Sequence, residues 1–148
     1  MWQAGDAGAA SGAEPAGIQL APTPEQEALR ARIAAFVQRE VLPHEDELRA
    51  PGGVSWERVQ DLRARARAAG VYGPQLAQKW GGLGLDWRGV AIAFEEAGTS
   101  LLGPLALNAA APDEANMNML ERIARPEQKE RYLRPLAEGR IRSSIAMT

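Results

Sequence analysis

The spacing of the apolar residues changes at Gly139, and this change constrains the fold of the 148-residue chain more than any other feature. Before Gly139, apolar residues recur every three or four positions, which is the spacing of amphipathic helices. After it, residues 140–148 alternate between apolar and polar side chains, as a strand does. A strand needs a partner strand for its backbone donors and acceptors. The pattern predicts an all-α domain followed by a strand, which makes the chain the front part of something larger.

Start and stop signals divide the helical part into about five to six helices. Thr23 and Gln26 have the spacing of a capping box, and Pro24 suits the first helical position. Pro43 is predicted to end this first helix. Later helices are predicted to begin near Ser55, Asp86, Pro112 and Pro126, with a short helical piece over 105–109.

Apolar stripes on these helices predict the core. The expected inward side chains are Leu29, Ile33, Phe36, Val37 and Val41; Trp56, Val59, Leu62, Ala66 and Ala69; Val90, Ala93, Phe94 and Ala97; Met117, Leu120, Ile123 and Ala124; Tyr132, Leu133 and Leu136. The second helix also carries four arginines, Arg58, Arg63, Arg65 and Arg67. They are predicted to form a solvated face with ion pairs, although a phosphate-binding face is the alternative.

Composition excludes several functions. The net charge is −2 and the pI is about 5.5, which disfavours a nucleic-acid binder. There is no cysteine and one histidine, so a thiolate site or a zinc site is not expected. No apolar run has the length of a membrane span and no secretory signal is recognised, which favours the cytoplasm. Residues 1–22 are rich in Ala, Gly and Pro and are predicted to be a disordered tail.

Candidate catalytic groups are few. His44 lies in an acidic turn and is predicted to be a solvated side chain rather than a proton carrier or ligand. Glu95 and Glu96 are adjacent on a helix, so they point about 100° apart, should not converge on one atom, and at least one should be solvated. Residues 81–84 are glycine-rich but lack the sequence of a phosphate loop, which predicts a structural loop. No metal site and no catalytic residue is predicted.

Four motifs, in order, resemble those of the acyl-CoA dehydrogenase family in its N-terminal domain. They are the glycine-rich loop at 70–75 and 80–85, the Glu-Glu-Ala helix at 94–98, the Gln-Lys to Gly segment at 128–139, and Ala-Met-Thr at 146–148. The Asn108, Ala111-Pro112-Asp113 and Asn116-Met117 pattern is similar to the branch that contains family members ten and eleven. The sequence departs from the family pattern at 77–80, where Ala-Gln-Lys-Trp replaces the usual Glu-Tyr.

The resemblance implies an FAD enzyme that desaturates acyl-CoA thioesters, with a glutamate outside this chain removing the α-proton while the flavin takes a hydride. It implies that Ile145, Ala146, Met147 and Thr148 contact the flavin. It implies that Leu107, Asn108, Asn116 and Met117 lie in the region lining the acyl chain. The domain division implied is a tail at 1–22, the helical domain at 23–139, and the strand of the β-domain at 140–148.

The expected partners follow from the same resemblance. They are an acyl-CoA substrate, other copies of the subunit in a homo-oligomer, and electron-transfer flavoprotein as an acceptor. Such a chain is expected to be inactive alone and to retain no FAD. Two alternatives remain open: a stand-alone helical interaction or assembly module, and one half of a split acyl-CoA dehydrogenase.

Overall fold

A computed structural model describes residues 21–146, and the fold of these residues is all-α, as predicted, with no strand among them. The helices are α1 (Pro24–Phe36), α2 (Trp56–Ala68), α3 (Trp87–Ala97), α4 (Gly103–Ala106), α5 (Asp113–Ile123) and α6, which runs through Pro126–Gln128, Lys129–Leu133 and Arg134–Ala137. The short piece predicted over 105–109 therefore occurs slightly earlier, as α4. No helix of this described part is long and apolar enough to cross a membrane.

Helix α1 begins as predicted. Thr23 Oγ1 accepts a hydrogen bond from Gln26 N at 3.2 Å, and Gln26 Oε1 accepts one from Thr23 N at 3.0 Å. The prediction that Pro43 ends this helix is wrong, because a π-helical turn (Val37–Val41) and a 3-10 helix (Leu42–Arg49) continue it. Pro43 lies in the first turn of the 3-10 helix, where a missing N–H costs nothing.

Local chemistry also sets both ends of α2. Ser55 Oγ accepts from Arg58 N at 3.1 Å and caps the start. At the other end Gly70 has a φ of 66°, and Val71 N donates to Ala66 O at 2.9 Å. A glycine tolerates this left-handed backbone without a steric penalty, and the bond closes the last turn of the helix. Both predicted boundaries of α2 are therefore confirmed.

The glycine-rich segment between α2 and α3 is a compact structural loop. Gly73 N donates to Leu107 O at 2.9 Å, which ties the loop to the end of α4. A Cβ at Gly82 would lie 2.3 Å from both the Cβ and the carbonyl oxygen of Leu76, so only glycine fits. The loop therefore uses its glycines for close packing of its own backbone.

Helices α1 and α3 are joined by a surface ion-pair cluster. Arg30 Nη1 donates to Glu96 Oε1 at 2.9 Å and to Glu95 Oε2 at 3.2 Å. The prediction that these two glutamates would not converge on one atom is wrong, because long side chains can bend around the helix to a common partner. The expectation that at least one is solvated holds, since the Glu95 side chain is 66% exposed.

Three side chains predicted to point inward are exposed instead. Trp56 is 43% exposed, Ile123 76% and Tyr132 44%. Trp56 is the first residue of α2 and Ile123 the last residue of α5, where a helix has fewer neighbours to bury its stripe. The rings of Trp56 and Tyr132 are each covered in part by an arginine, with the guanidinium carbons of Arg63 and Arg131 5.2 Å from the respective ring centroids.

The core of the described residues consists of two buried clusters. The larger one joins the first four helices to the loops between them and includes Ile33, Phe36, Leu62, Tyr72, Ala93, Leu102 and Leu107. The smaller one joins the glycine-rich loop to the last two helices and contains Leu76, Met117, Leu133, Leu136 and Ala137.

The predicted closing strand is not formed in its described part. Residues 141–146 have no regular secondary structure, and Ile141 and Ile145 are 42% and 55% exposed. The physical reason is that residues 21–146 supply no second strand to pair with this backbone. Met147, Thr148 and residues 1–20 of the predicted tail lie outside the described residues.

Candidate functional site

The residues predicted to contact a cofactor lie where the chain leaves the last helix. Ile145 and Ala146 are exposed, and no hydrogen bond with another residue of 21–146 involves their backbone groups. Met147 and Thr148 lie outside the described residues. The two described positions thus present backbone N–H and C=O groups that a polar ligand edge could pair with.

Just before these positions, the chain is held by α5. Asp113 is 1% exposed, and its Oδ1 accepts from Ser143 N and Ser143 Oγ, both at 2.7 Å. Its other carboxylate oxygen accepts from Arg142 Nε. Asn116 Nδ2 donates to Ser143 Oγ at 2.8 Å and lies 3.4 Å from Ser144 O. The segment 142–144 is therefore fixed against the first turn of α5.

The two carbonyls that directly follow α6 are held by side chains from α2. Arg63 Nη1 and Gln60 Nε2 both donate to Gly139 O, at 2.8 and 2.7 Å. Arg67 Nη2 donates to Glu138 O at 2.6 Å. Because Glu138 and Gly139 directly follow the last helical residue, these bonds fix the end of α6 onto α2.

Two residues from the loops complete this arrangement. Tyr72 Oη donates to Ala137 O at 2.7 Å, and Asn108 Nδ2 donates to Leu136 O at 3.1 Å and to Ala137 O at 3.3 Å. Asn108 has a φ of 57°, a left-handed conformation that asparagine adopts more readily than most residues. We call Arg63, Tyr72 and Asn108 the helix-end cluster.

Arg63 is a fully buried cation, and no carboxylate among residues 21–146 is in hydrogen-bond contact with it. Its Nε donates to Leu105 O at 3.1 Å, and its guanidinium lies at the negative end of the α6 dipole. Burial lowers the pKa of Arg63 from its ordinary value. The ordinary pKa of an arginine lies so far above neutral pH that the side chain stays charged nonetheless. Burial raises the pKa of Tyr72, because the charged phenolate is the form that burial disfavours, and the hydroxyl therefore stays protonated as a donor.

The residues predicted to line the acyl chain are mostly buried within the chain itself. Leu107 and Met117 are 0% exposed and belong to the larger and the smaller core cluster, respectively. Asn108 belongs to the helix-end cluster, and its Nδ2 is 3.8 Å from Met117 Sδ. Asn116 is half-buried against Ser143. The structure brings Asn108 and Met117 into contact, and the contact of all four residues with an acyl chain stays a prediction.

The sequence interpretation missed the two charged residues that organise this region. Arg63 was assigned to a solvated face, yet Val59, Leu62, Arg63 and Ala66 have the three-and-four spacing of a buried stripe. That spacing could have placed Arg63 inward. Asp113 is indicated by the sequence only as a motif residue at the start of a helix, and Ser143, which it contacts, lies 30 positions away in the sequence. No local signal indicates such a contact.

The other candidate groups form no catalytic constellation in the described part. His44 Nδ1 is 3.1 Å from Glu47 Oε1, which also accepts from Arg58 Nε at 3.0 Å. Glu95 and Glu96 are engaged by Arg30. Within residues 21–146 no group of three His, Cys, Asp or Glu side chains could hold a metal ion.

Comparison with known proteins assigns this all-α architecture to a family. The sequence model described as "Acyl-CoA dehydrogenase, N-terminal domain" matches residues 23–140. The chain therefore belongs to the acyl-CoA dehydrogenase family, as its motifs indicated. A solved structure from Mycobacterium abscessus, assigned as an acyl-CoA dehydrogenase, is 35% identical with a TM-score of 0.69, over 82% of this chain and 33% of that chain.

Curated relatives agree with the predicted branch. Acyl-CoA dehydrogenase family member 10 of Mus musculus is 34% identical over 145 residues, which is 89% of this chain and 14% of that protein. Acyl-CoA dehydrogenase family member 11 of Gallus gallus is 33% identical over 126 residues, 79% of this chain and 16% of that protein. The chain thus spans a sixth or less of the length of these two relatives.

Proposed function

We propose that this chain is the N-terminal helical portion of an FAD-dependent acyl-CoA dehydrogenase, which desaturates acyl-CoA thioesters between the α and β carbons. The proposed division is a tail at 1–22, the helical domain at 23–139 and the first part of a β-domain at 140–148. The observation that carries the proposal is the segment at 142–146. It is fixed by Asp113 and then presents the uncovered backbone of Ile145 and Ala146, where the family resemblance puts the flavin.

The described residues fit one edge of a flavin site. FAD supplies the hydride acceptor of the reaction when it is bound. The polar rim of an isoalloxazine ring needs backbone donors and acceptors with no other partner, and Ile145 and Ala146 offer such groups at an exposed position. Neither residue carries a charge. Met147 and Thr148 are proposed to extend the same edge, with the threonine adding a hydroxyl.

The chain contributes no catalytic base to this proposal. Glu95 and Glu96 both accept hydrogen bonds from Arg30, which argues against a role in proton abstraction. We propose that Leu107, Asn108, Asn116 and Met117 border the acyl chain. A homo-oligomer, electron-transfer flavoprotein as the electron acceptor, and a cytoplasmic location belong to the same proposal.

The test begins with the reading frame beyond Thr148, expressed with this chain as one polypeptide. The purified protein is expected to show flavin absorption at one FAD per subunit, and acyl-CoA is expected to bleach that absorption. The 148-residue chain by itself is expected to retain no FAD, because most flavin contacts would come from other domains.

Other outcomes would favour a different function. Co-purification with a separate flavin-binding polypeptide would indicate a split enzyme. Absence of both flavin and acyl-CoA-dependent bleaching, in the chain and in the longer polypeptide, would overturn the proposal and leave an interaction or assembly module.

A further inference from the structure

We infer that Asp113 and Asn116 are positioning residues for the proposed flavin contacts of Ile145 and Ala146: they fix Ser143 and its neighbours so that these two residues reach the cofactor at one set position. The inference rests on the proposed function. It assigns to α5 a role in cofactor affinity, although no residue of α5 is proposed to touch the cofactor.

Asp113 makes the stronger of the two contacts. Its carboxylate is 1% exposed and accepts three hydrogen bonds from residues 140–146, which we call the exit segment. Two of the three come from Ser143. A buried carboxylate needs such partners, because leaving any of its oxygens unpaired is costly. The bonds involve both the backbone and the side chain of Ser143, so they restrain the peptide plane as well as the side chain.

Asn116 also holds Ser143, through the serine hydroxyl. It lies three residues after Asp113, on the same face of α5. Its Nδ2 donates to Ser143 Oγ at 2.8 Å, and Ser143 Oγ in turn donates to Asp113 Oδ1 at 2.7 Å. The serine hydroxyl uses its donor and one acceptor site at once, which fixes its rotation.

The same segment is also held at its beginning. Gly139 O is bound by Arg63 and Gln60, so only residues 140 and 141 separate one fixed point from the next. Beyond the second fixed point, Ile145 and Ala146 have no partner among residues 21–146. The position of the flavin-contacting backbone therefore depends on the contacts two residues before it.

The first experiment tests the anchor without any flavin. Trypsin cuts after Arg140 and after Arg142, and it must extract the Arg142 side chain from Asp113 to make the second cut. In the 148-residue chain, the ratio of the second cut to the first is expected to rise roughly tenfold or more in Asp113→Ala. Glu114→Gln is the matched control, because it removes a neighbouring carboxylate that does not touch the exit segment. An unchanged ratio in Asp113→Ala would overturn the anchor.

Ser143→Ala keeps the test decisive if Asp113→Ala fails to fold. It removes the hydroxyl that connects Asn116 to Asp113 and leaves no buried carboxylate without its backbone donor. A smaller rise of the same ratio is expected, and Ser143→Thr, which retains a hydroxyl, should restore the wild-type value. Equal ratios in Ser143→Ala and Ser143→Thr would contradict the proposed relay.

The second experiment measures FAD in the flavin-loaded polypeptide. Asp113→Ala is expected to raise the dissociation constant for FAD by roughly tenfold or more, while its KM for acyl-CoA stays at the wild-type value. Asn116→Ala is also expected to raise the dissociation constant for FAD, by a smaller factor. Wild-type affinity for FAD in a protein whose trypsin ratio has changed would overturn the positioning role. A raised KM for acyl-CoA in Asn116→Ala, with unchanged FAD affinity, would assign this residue to the substrate instead. If the unmutated polypeptide binds no FAD, the proposed function fails, and the trypsin result still decides the anchor.

Discussion

The contact between α1 and α3 and the contact between α2 and the end of α6 both depend on an arginine, but the two arginines are in opposite surroundings. Arg30 bridges Glu95 and Glu96, and its side chain is 31% exposed. Arg63 is 0% exposed and binds backbone carbonyls of two other segments. The first arginine pairs with charges that water also solvates, whereas the second replaces water around buried carbonyls, one of which it shares with Gln60.

This difference predicts different energetic consequences. An exposed ion pair gains little, because solvent and salt screen its attraction and its side chains lose freedom. A buried donor that is removed leaves acceptors without partners, which costs much more than the bond was worth. Four substitutions follow from this comparison, in order of decreasing effect.

Replacing Arg63 should have the largest effect. Arg63→Met keeps the aliphatic stem but removes the donors to Leu105 O and Gly139 O, so we expect the free energy of unfolding to fall by about 3 kcal/mol. The loss is limited because Gln60 still binds Gly139 O and because Nη2 of Arg63, which has no partner among the described residues, disappears as well. Urea denaturation followed by circular dichroism measures the change. Arg67→Met, on the same helix but exposed, is the control, and an equal effect in both would contradict the buried role.

Replacing Asn108 should rank second. Asn108→Ala loses the bonds to Leu136 O and Ala137 O and places alanine at a φ of 57°, so a loss of about 2 kcal/mol is expected. Asn108→Gly removes the same side chain but tolerates the backbone conformation, and should recover part of that loss. Denaturation midpoints of both variants separate the two contributions. If alanine and glycine were equally destabilising, the left-handed backbone would carry no cost.

Replacing Tyr72 should have a smaller and pH-dependent effect. Tyr72→Phe removes the donor to Ala137 O, with an expected loss of about 1 kcal/mol near neutral pH. Burial raises the pKa of Tyr72 in the folded state above that of the unfolded chain, so the stability it contributes is present below about pH 10 and is lost as the pH rises through the folded-state pKa. The difference between wild type and Tyr72→Phe should therefore shrink at alkaline pH. A difference that grows between about pH 8 and about pH 11 would refute this assignment.

Replacing Arg30 should have the smallest effect. Arg30→Met breaks the bonds to both glutamates, but the side chains involved are accessible to solvent and ions. The midpoint of urea denaturation should fall less than in the three variants above, and the difference from wild type should vanish as the salt concentration is raised to about 1 M. Glu95→Gln is the matched control, with a still smaller shift. A salt-independent loss of stability in Arg30→Met, as large as that in Arg63→Met, would contradict the difference between the exposed and the buried arginine contact.

Sequence spacing predicted the helices well because their boundaries are set by local chemistry. Thr23, Ser55 and Gly70 act on backbone groups within one turn, and each does so in the structure. The failures also have a common reason. Trp56, Ile123 and Arg63 lie on helices that were predicted correctly, but their burial depends on which other segment covers them.

The residues of the candidate site were likewise indicated by the sequence, whereas their contacts with one another were not. Motifs in the sequence indicated Asn108, Asp113, Asn116 and the residues after Ser143, and they indicated the family. They did not indicate that Asp113 holds Ser143 or that Arg63, Tyr72 and Asn108 share the end of α6, because those contacts join residues with no regular spacing along the chain.

The amino-acid sequence by itself determined the all-α class, the starts and stops of most helices, and membership of the acyl-CoA dehydrogenase family, since caps, stripes and motifs are read over short distances. Only the tertiary structure decided which arginine is buried and where the exit segment lies. The bond from Arg63 to Gly139 O joins residues 76 positions apart, and a charge can be buried there only because the folded chain brings the end of α6 to it.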